Sequence, residues 1–223
     1  MLRAVVFDFD GLILDTETNE FNAFREVFEE HGHELTLERW SGCVGTDLSV
    51  YNPYDHLEEA CGRVLDRELI RSTQKAKFLK RMESESVRVG VEAYLQEAKE
   101  LGLRIALASS SSRAWVTGYL TAHGLLDYFE TIHTKDDVAK VKPDPELYRR
   151  AVESLGVEPH EAVAFEDSPN GALAAHRAGL HCVIVPNAVT GTLSFGAHNV
   201  RLSSMADRSL RSLVEELNAS CQA

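Results

Sequence analysis

Two rhythms of hydrophobic and polar positions divide the chain. From Gly90 onward, apolar stripes at helical spacing alternate with short apolar runs of strand length. Val91, Leu95, Ala98 and Leu101 form one stripe, closed by Gly102. Arg104-Ile105-Ala106-Leu107-Ala108 then reads as a buried strand that opens into Ser109-Ser110-Ser111-Ser112. The same alternation continues with a helix along Trp115, Val116, Tyr119 and Leu120, a strand over Phe129 to His133, and a helix opened by Asp144-Pro145. Ala162-Val163-Ala164-Phe165 is a further strand running into Glu166-Asp167-Ser168, with an alanine-lined helix after it; Cys182 to Val185 is the next strand. Leu210, Leu213, Val214 and Leu217 mark a closing amphipathic helix. Before Gly90 only Val5-Val6-Phe7 has the character of a buried strand. From Thr16 to Val87 the pattern is helical and more polar: a helix from about Glu20 to His31, a short one marked by Trp40 and Val44, another broken by Asn52-Pro53, and one over Leu65 to Met82.

Apolar strands alternating with helices predict a parallel sheet covered on both faces, an α/β fold with a Rossmann-like core. In such sheets ligands bind beyond the carboxyl ends of the strands. Polar residues collect at those ends: Asp8 and Asp10, then Ser109, then Glu166 and Asp167. The helical stretch interrupts the sheet after its first strand, which predicts a core of residues 1–15 plus 88–223 and an inserted α-helical cap of residues 16–87. A lid over a polar crevice excludes water and selects substrate.

Composition narrows the partners. A net charge of -12 argues against a nucleic-acid or anionic-membrane surface. No run is long enough to span a membrane, and the first apolar run is too short for a secretory leader, being broken by Asp8 and Asp10. Cys43, Cys61, Cys182 and Cys221 lack C-x-x-C spacing and read as free thiols of a cytoplasmic protein. The nine histidines form no zinc pattern. The expected partner is a small phosphorylated metabolite, and the size suits a monomer or weak dimer.

Asp8 and Asp10 leave one strand end on the same side, because side chains alternate with a period of two. Such a pair needs a cation or a proton between its members. A strand ending in turn-formers is the bland reading. Four stretches together exceed it: Asp8-Phe9-Asp10-Gly11-Leu12-Ile13-Leu14-Asp15-Thr16-Glu17, Ala108-Ser109-Ser110-Ser111, Lys142-Pro143-Asp144-Pro145 and Glu166-Asp167-Ser168. In this order the sequence resembles the haloacid dehalogenase-like (HAD) hydrolase superfamily, in its beta-phosphoglucomutase-like phosphatase branch with a helical cap.

The resemblance implies a phosphatase acting on a small, sugar-like phosphomonoester through an aspartyl-phosphate. Asp8 is then the nucleophile and Asp10 the general acid and base. Lys142 neutralises charge, and Ser109 and Ser110 bind the phosphoryl group. Mg²⁺ is held by Asp8, the carbonyl of Asp10 and Asp167, with Glu166 a further ligand or the holder of a metal-bound water. Dehalogenases of this fold lack the second aspartate, and the lysine pattern of phosphonatases is not found, Lys75 and Lys77 reading as solvated. A sugar phosphomutase is the alternative. Its pattern has a histidine where this chain has Glu20, and an arginine after a cap glycine where this chain has Thr46-Asp47-Leu48-Ser49. A non-catalytic phosphate-binding protein is the remaining reading. Trp40, Phe21 and Phe24 read as interior residues of the cap rather than a substrate cage. Asp15 and Thr16 read as a hinge or a turn.

Overall fold

The structure, a computed structural model, describes residues 1–41 and 51–220. Strands β1 (Ala4–Phe7), β2 (Arg104–Ala108), β3 (Thr131–His133), β4 (Ala162–Glu166), β5 (His181–Ile184) and β6 (Val200–Arg201) form a parallel sheet in the order β3-β2-β1-β4-β5-β6. The first strand thus lies inside the sheet, and strand order reverses beside it. The chain runs to β2 on one side and to β4 on the other, which opens a crevice at the carboxyl ends.

Both faces of the sheet are buried, which is why its strands are near-continuously apolar. Val5 and Phe7 face one layer with Leu107, Phe165 and Val183. There they meet α5 (Val91–Glu100), α6 (Arg113–Ala122) and α9 (Leu210–Ser220). Ala4 and Val6 face the other layer, under α7 (Glu146–Ser154) and α8 (Pro169–Ala178). Alanines dominate that second layer, at 106, 108, 162, 164, 172, 174 and 175, so helices and sheet approach closely.

Between β1 and β2 run α1 (Thr16–Glu30), α2 (Leu37–Ser41), α3 (Pro53–Cys61) and α4 (Arg67–Met82). Their apolar faces form a separate cluster around Phe21, Phe24, Val27, Phe28, Trp40 and Leu57, which Val189 from beyond β5 also enters. The two chain segments that join this region to the sheet pair with each other. Leu14 bridges Val87, and the Arg88 amide donates to the Ile13 carbonyl at 2.9 Å.

Three local expectations need correction. Helix α1 starts at Thr16, four residues before the expected start near Glu20, because Asp15 caps it by accepting from the Thr18 amide at 3.0 Å. Asn52-Pro53 opens α3 rather than breaking a helix. Asn52 Oδ1 takes the Tyr54 amide at 3.0 Å, and proline at the first turn costs no hydrogen bond. The two-residue edge strand β6 was not expected. Val44, Cys43, Cys221 and the Gly45–Ser49 stretch lie outside the described residues. Among the described residues, Cys61 and Cys182 are free thiols and no helix is long and apolar enough to cross a membrane.

Candidate active site

Register builds the site. Phe7 pairs with Leu107 on one side and Phe165 on the other, so Asp8 directly after β1 comes beside Glu166 at the end of β4, with Ser109 directly after β2. All three are buried, and Asp167 with them. Asp8, Glu166 and Asp167 each offer a carboxylate oxygen, all within 4.8 Å of one another. The Asp8 amide is fixed to the Phe165 carbonyl at 3.0 Å, which ties the loop after β1 to β4.

One ammonium enters this cluster. Lys142 Nζ donates to Asp8 Oδ1 at 2.5 Å and to Glu166 Oε1 at 2.6 Å. Its side chain is 6% exposed. The Tyr148 hydroxyl donates to the same Glu166 oxygen at 2.5 Å, and the Ser168 hydroxyl reaches Oε2 at 3.4 Å. Glu166 thus faces Lys142 and Tyr148, while Asp8 and Asp167 line the crevice. Gly171 lets α8 begin directly against Glu166, since a Cβ there would lie 1.9 Å from its Oε2.

Burial raises the pKa of Asp8 well above the usual carboxylate range, and Glu166 adds to the rise while Lys142 opposes it. Burial likewise raises Asp167, helped by Asp8, Glu166 and Glu17 and opposed by Arg88. Burial alone would lower Lys142, but Asp8 and Glu166 outweigh it and hold the ammonium charged. Three buried carboxylates facing one lysine leave an excess of negative charge that a cation relieves. The donors are all hard oxygens, the set that suits a divalent cation such as Mg²⁺. The residues present therefore fit a divalent metal.

Asp167 is aimed by a residue that the sequence reading passed over. Asn187 Nδ2 donates to Asp167 Oδ2 at 2.8 Å and to the Gly11 carbonyl at 3.3 Å. Its own Oδ1 accepts the Val189 and Thr190 amides, so its amide orientation is fixed. Gly11 has φ of +81°, and a Cβ there would lie 2.1 Å from Asp167 Oδ2, so glycine is required on both counts. Arg88 supports the same place from behind, donating to the carbonyls of Gly11, Val185 and Pro186. Asn187 follows the end of β5, and a search for polar residues beyond every strand end would have found it.

Asp10 lines the crevice and is half-buried. Its Oδ1 accepts the Trp115 indole N–H at 2.9 Å and its Oδ2 faces Ser109 Oγ at 3.3 Å. Ser109 is wholly buried and takes the Ser111 amide on the same oxygen at 2.9 Å. Ser110 and Ser111 line the crevice, whereas Ser112 caps α6. The crevice has a volume of about 810 Å³. Its opposite wall is Thr16, Glu17 and Glu20 from α1 and Phe78 from α4. Burial and the neighbouring Asp10, Glu20 and Asp15 raise Glu17 to about 7. Glu20 is raised by burial, against a contact from Gln74. Lys142 is the one basic residue of the lining among the described residues. Arg113 is held away by Asp137 at 2.7 Å, and Lys77 pairs with Glu26 and Glu30.

The profile of the haloacid dehalogenase-like hydrolase family matches residues 5–185, and the chain belongs to that family. It is 54% identical to "Putative phosphatase YhcW" of Bacillus subtilis over 98% of this chain and 99% of the relative. It is 32% identical to the "Phosphorylated carbohydrates phosphatase" of Thermotoga maritima over 80% of this chain and 82% of that one. Among solved structures, CbbY from Rhodobacter sphaeroides in complex with phosphate superposes with a TM-score of 0.70 at 30% identity, covering 96% of this chain and all of that one.

Proposed function

We propose that the chain is a Mg²⁺-dependent phosphatase that hydrolyses a small, sugar-like phosphomonoester in two steps through Asp8. The observation that carries this reading is the set of Asp8, Asp167 and Lys142 at one sheet edge, opening into a crevice of small-metabolite size. The names of the relatives support the reaction and the substrate class. Free Cys61 and Cys182 suit a cytoplasmic protein.

In the first step a carboxylate oxygen of Asp8 attacks phosphorus. The bond from phosphorus to the ester oxygen breaks, its electron pair stays on that oxygen, and Asp10 gives the oxygen a proton. In the second step water attacks the aspartyl-phosphate and gives its proton to Asp10. The bond from phosphorus to Asp8 then breaks, restoring the carboxylate and releasing inorganic phosphate. Lys142 stays charged throughout and offsets the charge that spreads over the phosphoryl oxygens. Ser109 and Ser110 with the amides of the serine loop hold those oxygens. Asp8, Asp167 and the Asp10 carbonyl would hold Mg²⁺, and Glu166 serves by holding Lys142 in place. Bound there, Mg²⁺ would supply positive charge that offsets the repulsion between a carboxylate nucleophile and a phosphate dianion.

We assign residues 16–87 as a cap over residues 1–15 and 88–223. Their separate apolar cluster and the placement of Thr16, Glu17, Glu20 and Phe78 on the crevice support this. The acidic lining of that wall favours a monophosphate with an uncharged remainder over a bisphosphate, which also favours hydrolysis over the mutase alternative. A panel of phosphomonoesters with Mg²⁺ tests the assignment. Release of inorganic phosphate from sugar phosphates, lost on chelation of the metal, is expected. Interconversion of sugar phosphates faster than phosphate release would overturn it in favour of a mutase.

A further inference from the structure

Trp115 touches both the Asp10 carboxylate and, across the crevice, helix α4. Its indole N–H meets Asp10 Oδ1 at 2.9 Å. Its ring stacks on Phe78 of α4, with centroids 5.7 Å apart and planes 22° from parallel. Tyr119 also packs on the indole edge to face, with centroids 4.6 Å apart. Phe78 and Trp115 both line the crevice.

The chemistry of the indole makes this contact directional. An indole nitrogen only donates. Asp10 Oδ1 must therefore remain an acceptor, and a proton on Asp10 belongs on Oδ2. That oxygen faces Ser109 Oγ at 3.3 Å, a hydroxyl able to donate or accept. The two contacts together set the plane of the carboxyl group and distinguish its oxygens. We propose that Trp115 is a positioning residue that reserves Asp10 Oδ2 for the transferred proton, and that its stack on Phe78 makes this arrangement depend on the placement of α4. The proposal rests on Asp10 as the general acid and base of the phosphatase reading.

A positioning role is separable from simple packing by the leaving group. Protonation matters for an alkyl ester, whose leaving oxygen is strongly basic, and little for 4-nitrophenyl phosphate. The ratio kcat/KM reads the first transfer only, so it isolates Asp10 acting as an acid. Since a placed general acid supplies about 10²–10⁴-fold, Trp115→Phe, which keeps a ring in the stack, is expected to lower kcat/KM for a sugar phosphate about tenfold. The loss on 4-nitrophenyl phosphate should be several times smaller. Phe78→Leu should give the same unequal loss to a lesser degree. Equal losses on both esters, or none, overturn the positioning role. An equal loss in Phe78→Leu alone overturns the dependence on α4.

A second measurement needs no turnover. The indole proton–nitrogen resonance of Trp115, told apart from that of Trp40 by its absence in Trp115→Phe, should move when Asp10→Ala removes its acceptor. It should also move, by less, in Phe78→Leu. An unmoved resonance in Asp10→Ala overturns the proposal even if Trp115→Phe fails to fold. Should the wild-type protein hydrolyse no phosphate ester, the phosphatase reading fails while this resonance still decides whether Trp115 holds Asp10.

Discussion

The two walls of the crevice are both acidic, but their charge is handled in opposite ways. On the sheet wall, the carboxylates of Asp8, Glu166 and Asp167 are fixed by Lys142, Tyr148 and Asn187. On the helical wall, Glu17 and Glu20 face the space with Gln74 as a neutral neighbour and no basic residue in the described lining. In the proposed phosphatase the sheet wall takes the phosphoryl group and the cation, whatever ester carries them. On the same proposal the acidic helical wall disfavours a second anion and leaves the rest of the substrate to be recognised by shape and hydroxyl contacts.

The contrast is broken most directly at Asp8. Asp8→Asn keeps size and hydrogen-bonding shape but removes the nucleophile, and phosphate release should fall by at least about a thousandfold, as for other covalent nucleophiles. Hydrolysis that survives would end the covalent mechanism. Asn187→Ala comes next. It leaves every carboxylate in place but frees Asp167 Oδ2, and should weaken binding of Mg²⁺ about 10–100-fold in a titration of the protein with the metal. Unchanged affinity would show that the aim of Asp167 is set by the backbone alone.

The sheet wall was legible because its residues sit at strand ends, where apolar runs stop abruptly at Asp8, Ser109 and Glu166. The parallel register then aligns those ends without further information. The helical wall was less legible for a local reason. Asp15 can end a turn or cap a helix with the same side chain, so α1 was expected to begin at Glu20. The true start at Thr16 puts Glu17 on the helix, three residues before Glu20 and on the same face. Trp115 gave no signal, because a helical stripe identifies an apolar ring but not where its N–H points. Tyr148 shows the same limit: it is an interior residue of α7 whose hydroxyl donates to Glu166.

The helical wall has its own signature in stability. Glu17 has a pKa of about 7 against an ordinary 4.5. The folded protein therefore binds more protons than the unfolded chain between those values, and stability falls as pH rises through that window. Glu17→Gln removes the charge. In metal-free protein at pH 8 it should be more stable than wild type by on the order of 1–2 kcal/mol, a figure already reduced for solvent reaching the crevice. The gain should shrink toward pH 5, where the folded wild type already carries the proton. Denaturant unfolding at the two pH values measures it. A gain independent of pH would mean that Glu17 is not charged against its neighbours.

The smallest effect is the most informative about selection. Glu20 faces the crevice but not the reacting atoms, so Glu20→Gln should leave the hydrolysis of a sugar monophosphate close to that of wild type. A sugar bisphosphate differs, since its second phosphate must approach Glu17 and Glu20. Across several ångströms of wet crevice, removing one negative charge is worth about 1 kcal/mol, so kcat/KM for the bisphosphate relative to the monophosphate should rise about threefold to tenfold. Added salt should shrink that change, because the interaction passes through solvent. A ratio that stays constant would show that the charge of the helical wall does not choose the substrate. The contrast between the walls would then lie in shape, with Phe78 and Trp115 as the surfaces that define it.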